Sequence, residues 1–162
     1  MIDTLDIIAA TNPAYCSLVL LSFIDAYTDA SGIHPNACLS FLAVPIAMSS
    51  EINGRFRGTN VKTGLLKWVE RNPDLRLLLP DLVRHSASIV RASILFGLQT
   101  GLLEVREGGG LEGHAEKVGG SPKDRSKAEI TQPHRAAARS FGAWCGRVRS
   151  ASTVFASFGI MP

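Results

Sequence analysis

The residues of this 162-residue chain that could serve a reaction are four histidines, three cysteines and one glycine triplet. His34, His85, His114 and His134 are far apart, and none has the spacing of an HExxH or paired-cysteine zinc motif. No metal and no cofactor is therefore expected. Cys16, Cys38 and Cys145 are odd in number and lack CxxC spacing, so they read as free thiols of a reducing cytosol, two of them in the core. Gly108, Gly109 and Gly110 follow a strand-like run and lead into another. They lack the helix N-terminus that a phosphate loop requires, and a hairpin tip is expected instead. GxSxG, GxxxxGK[ST] and a strand-to-helix GxGxxG are all missing. No catalytic residue is assigned, and the chain is not expected to be an enzyme.

What chemistry remains belongs to surfaces. Arg55, Arg57, Lys62, Lys67 and Arg71 cluster with Glu70 as the one acid among them. Such a cluster can bind phosphates, face an acidic partner or simply lie in solvent. Near the end, Phe141, Trp144, Phe155 and Phe158 combine with Ile160 and Met161, and Arg135, Arg139, Arg147 and Arg149 flank them. Two readings stand for this tail. It folds back on the core, or it docks a partner, since Trp, Phe and Arg are enriched at protein interfaces.

The elements that must position these groups are mainly helical. Asn12-Pro13 opens a buried helix to about Tyr27, followed by a turn at 28–32. A second helix from about Pro35 is expected to kink or stop at Pro45. Residues 53–60 read as a loop, and 61–71 as an amphipathic helix with Val61, Leu65, Trp68 and Val69 on one face. Asn72-Pro73 ends it. DLRLLLPDLVRH is expected to form a helix complicated by Pro80, and SIVRASILFGLQTG another, ending at Gly101. Leu102, Leu103 and Val105 then form a strand, with its return at Leu111.

A helix followed by a glycine-tipped hairpin suggests a winged-helix-like fold. Its hairpin carries Arg106 against Glu104, Glu107 and Glu112, which would repel a duplex. The expected organisation is a helical domain over 1–114, a polar linker or wing extension over 115–132, and a C-terminal helical tail over 133–162. The last helix starts near Pro133, and Ser152 or Thr153 caps a short terminal turn.

Composition agrees with one well-buried core, at 46% hydrophobic and 19% charged residues. The apolar runs 14–24 and 37–48 are shorter than the roughly 20 residues that span a bilayer, and the N-terminus has no basic leader. No membrane contact and a cytoplasmic location are expected. Charge is uneven. Residues 1–54 contain Asp3, Asp6, Asp25, Asp29 and Glu51 and no Lys or Arg, whereas the stretch 111–162 is basic.

With these features assembled, NPAYCSLVLLSFIDAY, WVERNPDL, VRASILFGLQTGLLEV and the closing STVFASFGIMP together resemble the middle component of three-component ABC systems, the group that includes Lamassu bacterial defence. Two departures stand out: Pro80 falls where that pattern has an unbroken helix, and 107–132 has no counterpart in it. The resemblance implies a non-catalytic adaptor that joins an SMC-like ABC ATPase to an effector nuclease, with DNA met only through the assembled complex. The alternative from another class is a winged-helix DNA-binding transcriptional regulator using Arg55, Arg57, Lys62 and Lys67.

Overall fold

The computed structural model describes residues 10–161; Asp3 and Asp6 of the acidic front lie outside them. Helix α1 (Pro13–Ser31) begins as its sequence dictates. Asn12 Oδ1 accepts from the amides of Ala14 and Tyr15 at 3.0 and 3.3 Å, and Pro13 takes the first turn. The helix runs one turn past the expected stop, because Gly32 closes it at φ 74° with its N–H donating to the Thr28 carbonyl. Nearly every residue from Cys16 to Tyr27 is buried. Around this rod pack the other long elements.

A 3-10 turn (Ala37–Leu39) leads into α2 (Ser40–Met48). Pro45 lies inside α2 without ending it: so close to the helix start it forfeits a single backbone bond. The break comes at Ser49, whose extended backbone and Oγ cap the short α3 (Ser50–Asn53). The chain bends there by 79°. Among the described residues no single helix is long and apolar enough to cross a membrane, and most of this bent apolar pair lies in the core.

The helix expected over 61–71 is shorter. Gly64, at φ 72° and ψ 161°, breaks it, and α4 covers only Leu65–Arg71. Val61 is thereby removed from the buried face and is 52% exposed. Pro80, in contrast, interrupts nothing. The two helices expected around it are one 25-residue helix, α5 (Leu75–Gln99), in which Pro80 spares only the carbonyl of the exposed Arg76. That matches the unbroken helix the family resemblance implied.

Gly101, at φ 74°, turns the chain into an antiparallel hairpin, β1 (Leu103–Val105) and β2 (Leu111–Gly113), paired Leu103 with Gly113 and Val105 with Leu111. Leu103 and Leu111 are buried, and the Leu111 amide donates to the Pro35 carbonyl at 2.9 Å. The hairpin therefore lies against α1 and the loop before α2.

Residues 115–132, read as a linker, contain a 3-10 turn (Ala115–Lys117) and α6 (Pro122–Thr131). Ser121 and Asp124 form a capping box with Pro122 at the first position. Two last helices follow, α7 (Pro133–Val148) and α8 (Ala151–Ser157). The cap of α8 is Ser150, whose Oγ accepts from the Thr153 amide at 3.3 Å; Ser152 and Thr153 themselves lie inside the helix. The architecture is mainly α, with one small hairpin and C-terminal helices.

Candidate interaction surface

The aromatic tail folds back. Phe141, Trp144, Phe155 and Phe158 are at most 5% exposed, so they cannot anchor a partner in this fold; the reading in which the tail returns to the core describes them. Phe56 stacks on Trp144 at 5.6 Å and meets Trp68 at 4.8 Å, and Trp68 meets Phe158 edge-on at 6.4 Å. Phe141 joins Phe23 of α1 to this cluster at 5.7 Å. The tail's large apolar groups close the core, and among the described residues Met161 is the one of them that stands out, at 92% exposure.

Two of its arginines differ in kind. Arg135 is buried, its Nε donates to Ser22 Oγ at 3.1 Å, and Glu129 of α6 lies 3.9 Å from its guanidinium. Arg139 is exposed and binds the same Glu129 at 2.9 Å. Glu129 thus pins the expected linker to α7. The capping box was the sequence signal for α6, hidden because its surroundings are polar and glycine-rich.

The basic residues divide. Arg55 is held inward by a two-pronged pair with Asp74, 2.7 Å on each prong, which raises its pKa and lowers that of Asp74. Arg57 lines a cavity of about 670 Å³ between the N-termini of α1 and α7, beside Tyr15 and His134. Those two rings meet edge-on, with Tyr15 Oη and His134 Nδ1 3.0 Å apart. Lys62, Lys67 and Arg71 are exposed together on and before α4.

Both tryptophans serve that region. Trp144 Nε1 donates to the Asn60 carbonyl at 3.1 Å and Trp68 Nε1 to the Arg55 carbonyl at 3.0 Å, which fixes the loop between them. Arg147 adds a bond of 2.8 Å to the Val61 carbonyl. Nothing in residue spacing announced the two links from α7, because those of Trp144 and Arg147 join positions 84 and 86 apart.

The hairpin gathers charge that the sequence scatters. Arg106 bridges Glu104 and Glu112, and it holds the Glu112 carboxyl below the usual carboxylate range. His114 lies 3.2 Å from Glu104, and His34 is 4.0 Å from Glu112. Glu104, Glu112 and His114 are close enough to share an ion, a grouping that the sequence reading missed. Arg106 already supplies the positive charge there. Asp25, on the α1 side, is pushed up to about 6 by burial and by Glu129 and Asp29. Burial also pushes Cys16 up to about 11 and raises Cys38 and Cys145, so none of the three is a thiolate near neutral pH.

Besides Ile33 and Val105 near the hairpin, exposed aliphatic side chains lie on α5 and around α4. Leu77 (82%) and Leu95 (56%) share the outer side of α5, eighteen residues or five turns apart, with Arg84, Ser88 and Arg91 between them. Leu66 (60%) and Val61 lie among the cations of α4. A groove of about 330 Å³ also opens between α2 and α5, lined by Val44, Met48, Leu82 and Ile89.

Sequence comparison supplies the context for these surfaces. Residues 5–162 match the family described as ABC-three component (ABC-3C) system Middle Component 3. No curated protein and no solved structure shows a match. With nearly its whole length matched, this chain belongs to the Middle Component 3 family of ABC-three component systems.

Proposed function

We propose that the chain is a non-catalytic adaptor of a Lamassu-type defence complex in the cytoplasm. In this reading it bridges an SMC-like ABC ATPase and an effector nuclease, and it transmits the ATPase's DNA-driven conformational change so that the effector is released or activated. The observation that carries the proposal is membership, over residues 5–162, in a family defined as the middle component of a multicomponent system. Three features support it. The thiols are held un-ionised, Glu104 and Glu112 of the hairpin are ion-paired with Arg106, and large aliphatic side chains stay wet on α4 and α5.

A tagged copy of the chain, co-expressed with the two components encoded beside it, is expected to carry both through purification. Recovery of the chain alone would remove the adaptor role.

The DNA-binding regulator remains a second reading because Lys62, Lys67 and Arg71 are exposed and lack an ion-pair partner among the described residues. Against it, Arg55 is engaged by Asp74 and the hairpin is net acidic and packed down on α1. Micromolar binding of duplex DNA by the isolated chain, lost steeply with salt, would favour this reading.

A further inference from the structure

The face built by α4 and the loop before it combines wet aliphatic groups with free cations on a rigid frame. Helix α4 buries Leu65, Trp68 and Val69, and at 100° per residue this turns Leu66, Lys67, Glu70 and Arg71 outward. Val61 and Lys62 stand beside them on the loop, and Arg147 reaches across from α7 through its bond to the Val61 carbonyl. Leu66 and Val61 keep 60% and 52% of their surface in water. Among the described residues, Lys62, Lys67, Arg71 and Arg147 make no ion pair, and Glu70 is the one acid in 57–71.

The loop does not have to be ordered by a partner. The Asn60 carbonyl accepts from Trp144, Asn60 Oδ1 accepts from the Lys62 amide at 2.9 Å, and the Asn60 amide donates to Thr63 Oγ1 at 3.1 Å. Thr59 Oγ1 closes the preceding turn on the Phe56 carbonyl at 2.6 Å. A surface fixed in advance loses little conformational entropy when it is covered.

We infer that this face docks an acidic, leucine- or phenylalanine-bearing protein segment of a partner component. The inference rests on the adaptor reading and specifies its contact surface. Charge complementarity selects the partner's sign: four unpaired cations around two aliphatic side chains match carboxylates around an apolar anchor. Duplex DNA fits less well, because phosphates offer nothing to Leu66 and Val61, and Arg55 beside the face is already bound to Asp74.

The test uses the full chain co-expressed with the ATPase and effector components encoded beside it. It compares the wild type with Lys62→Glu/Lys67→Glu, with Leu66→Ser and, as a charge-matched control, with Lys123→Glu/Lys127→Glu on α6. Circular dichroism checks that each variant keeps its helices. Affinity of each purified variant for the isolated partner component is read by biolayer interferometry.

The expected result is at least tenfold weaker binding for both α4 variants and unchanged binding for the control. If wild type binds a component and the α4 variants bind it equally, the face is wrong while the adaptor role stands. If wild type binds neither component, the adaptor role itself fails. If the Lys62→Glu/Lys67→Glu change abolishes salt-sensitive binding to a short mixed-sequence duplex and leaves the protein complex intact, the face belongs to nucleic acid and the inference is overturned.

Discussion

Replacing Gly142 with alanine tests the central seam of the fold. Gly142 and Gly146 are one turn apart on α7, with Ala138 one turn before them, and all three are buried. A Cβ built on Gly142 would collide with the Phe23 carbonyl oxygen of α1 and lie 3.1 Å from the Phe23 Cα. On Gly146 it would meet the Tyr27 carbonyl oxygen at 2.6 Å. The obstacle in both cases is main chain, which cannot rotate away. In an unconstrained helix Gly→Ala gains about 1 kcal/mol from propensity. Overpacking a filled core costs about 1–3 kcal/mol, and a rigid obstacle places this site toward the upper end. The net expectation for Gly142→Ala is a loss of about 1–2 kcal/mol. For a chain of this size each kcal/mol moves Tm by about 2–4 °C, so the midpoint should fall by about 2–8 °C. Differential scanning calorimetry measures it. Gly54 serves as the control, because its φ of −60° suits any residue and nothing lies within 4 Å of its would-be Cβ. Gly54→Ala should raise stability by about 0.4–1 kcal/mol. A Tm that rises with Gly142→Ala would refute close backbone packing of α1 on α7.

Further outcomes follow from the buried groups. Trp144→Ala, which removes a ring 1% exposed together with the bond to Asn60, should cost about 3–5 kcal/mol in urea unfolding, so lost assembly in that variant would report lost folding. Asp25 has a folded pKa of about 6, above its unfolded value, so its ionisation destabilises the fold as pH rises from about 4 to 6. Asp25→Asn should therefore stabilise the chain at pH 7 and flatten that part of the stability profile; an unchanged slope would place the effect elsewhere. Arg135 and Glu129 should behave unequally. Arg135→Met leaves Glu129 paired with Arg139 at 2.9 Å and should cost little, whereas Glu129→Ala leaves the buried Arg135 guanidinium without its carboxylate and should cost about 3–5 kcal/mol by thermal melts.

Much of this was legible where local chemistry decides. Asn12-Pro13 started α1, Gly101 ended α5 and the glycine triplet turned the hairpin, because caps and positive φ are properties of single residues. Proline misled: Pro45 and Pro80 each remove one bond, and packing outweighs that loss. Gly64 acted the other way, ending a helix that amphipathic spacing continued through to Val61. Gly142 and Gly146 read as helix weaknesses, yet they allow α7 to lie against α1, a cause visible only once both helices are placed. The aromatic tail illustrates the hardest limit. Rings that seal a core and rings that grip a partner have the same composition, and only burial separates them. For the basic cluster, spacing gathered five cations, while the fold committed Arg55 to Asp74, turned Arg57 toward a cavity and left three exposed on and just before α4.

The most direct measurement of the bridging role omits the chain. The ATPase and effector components are co-expressed with and without it, and their association is followed by sedimentation velocity. The account predicts one large species containing all three when the chain is present, and two separate smaller species when it is left out. ATPase and effector sedimenting together in its absence would contradict the account.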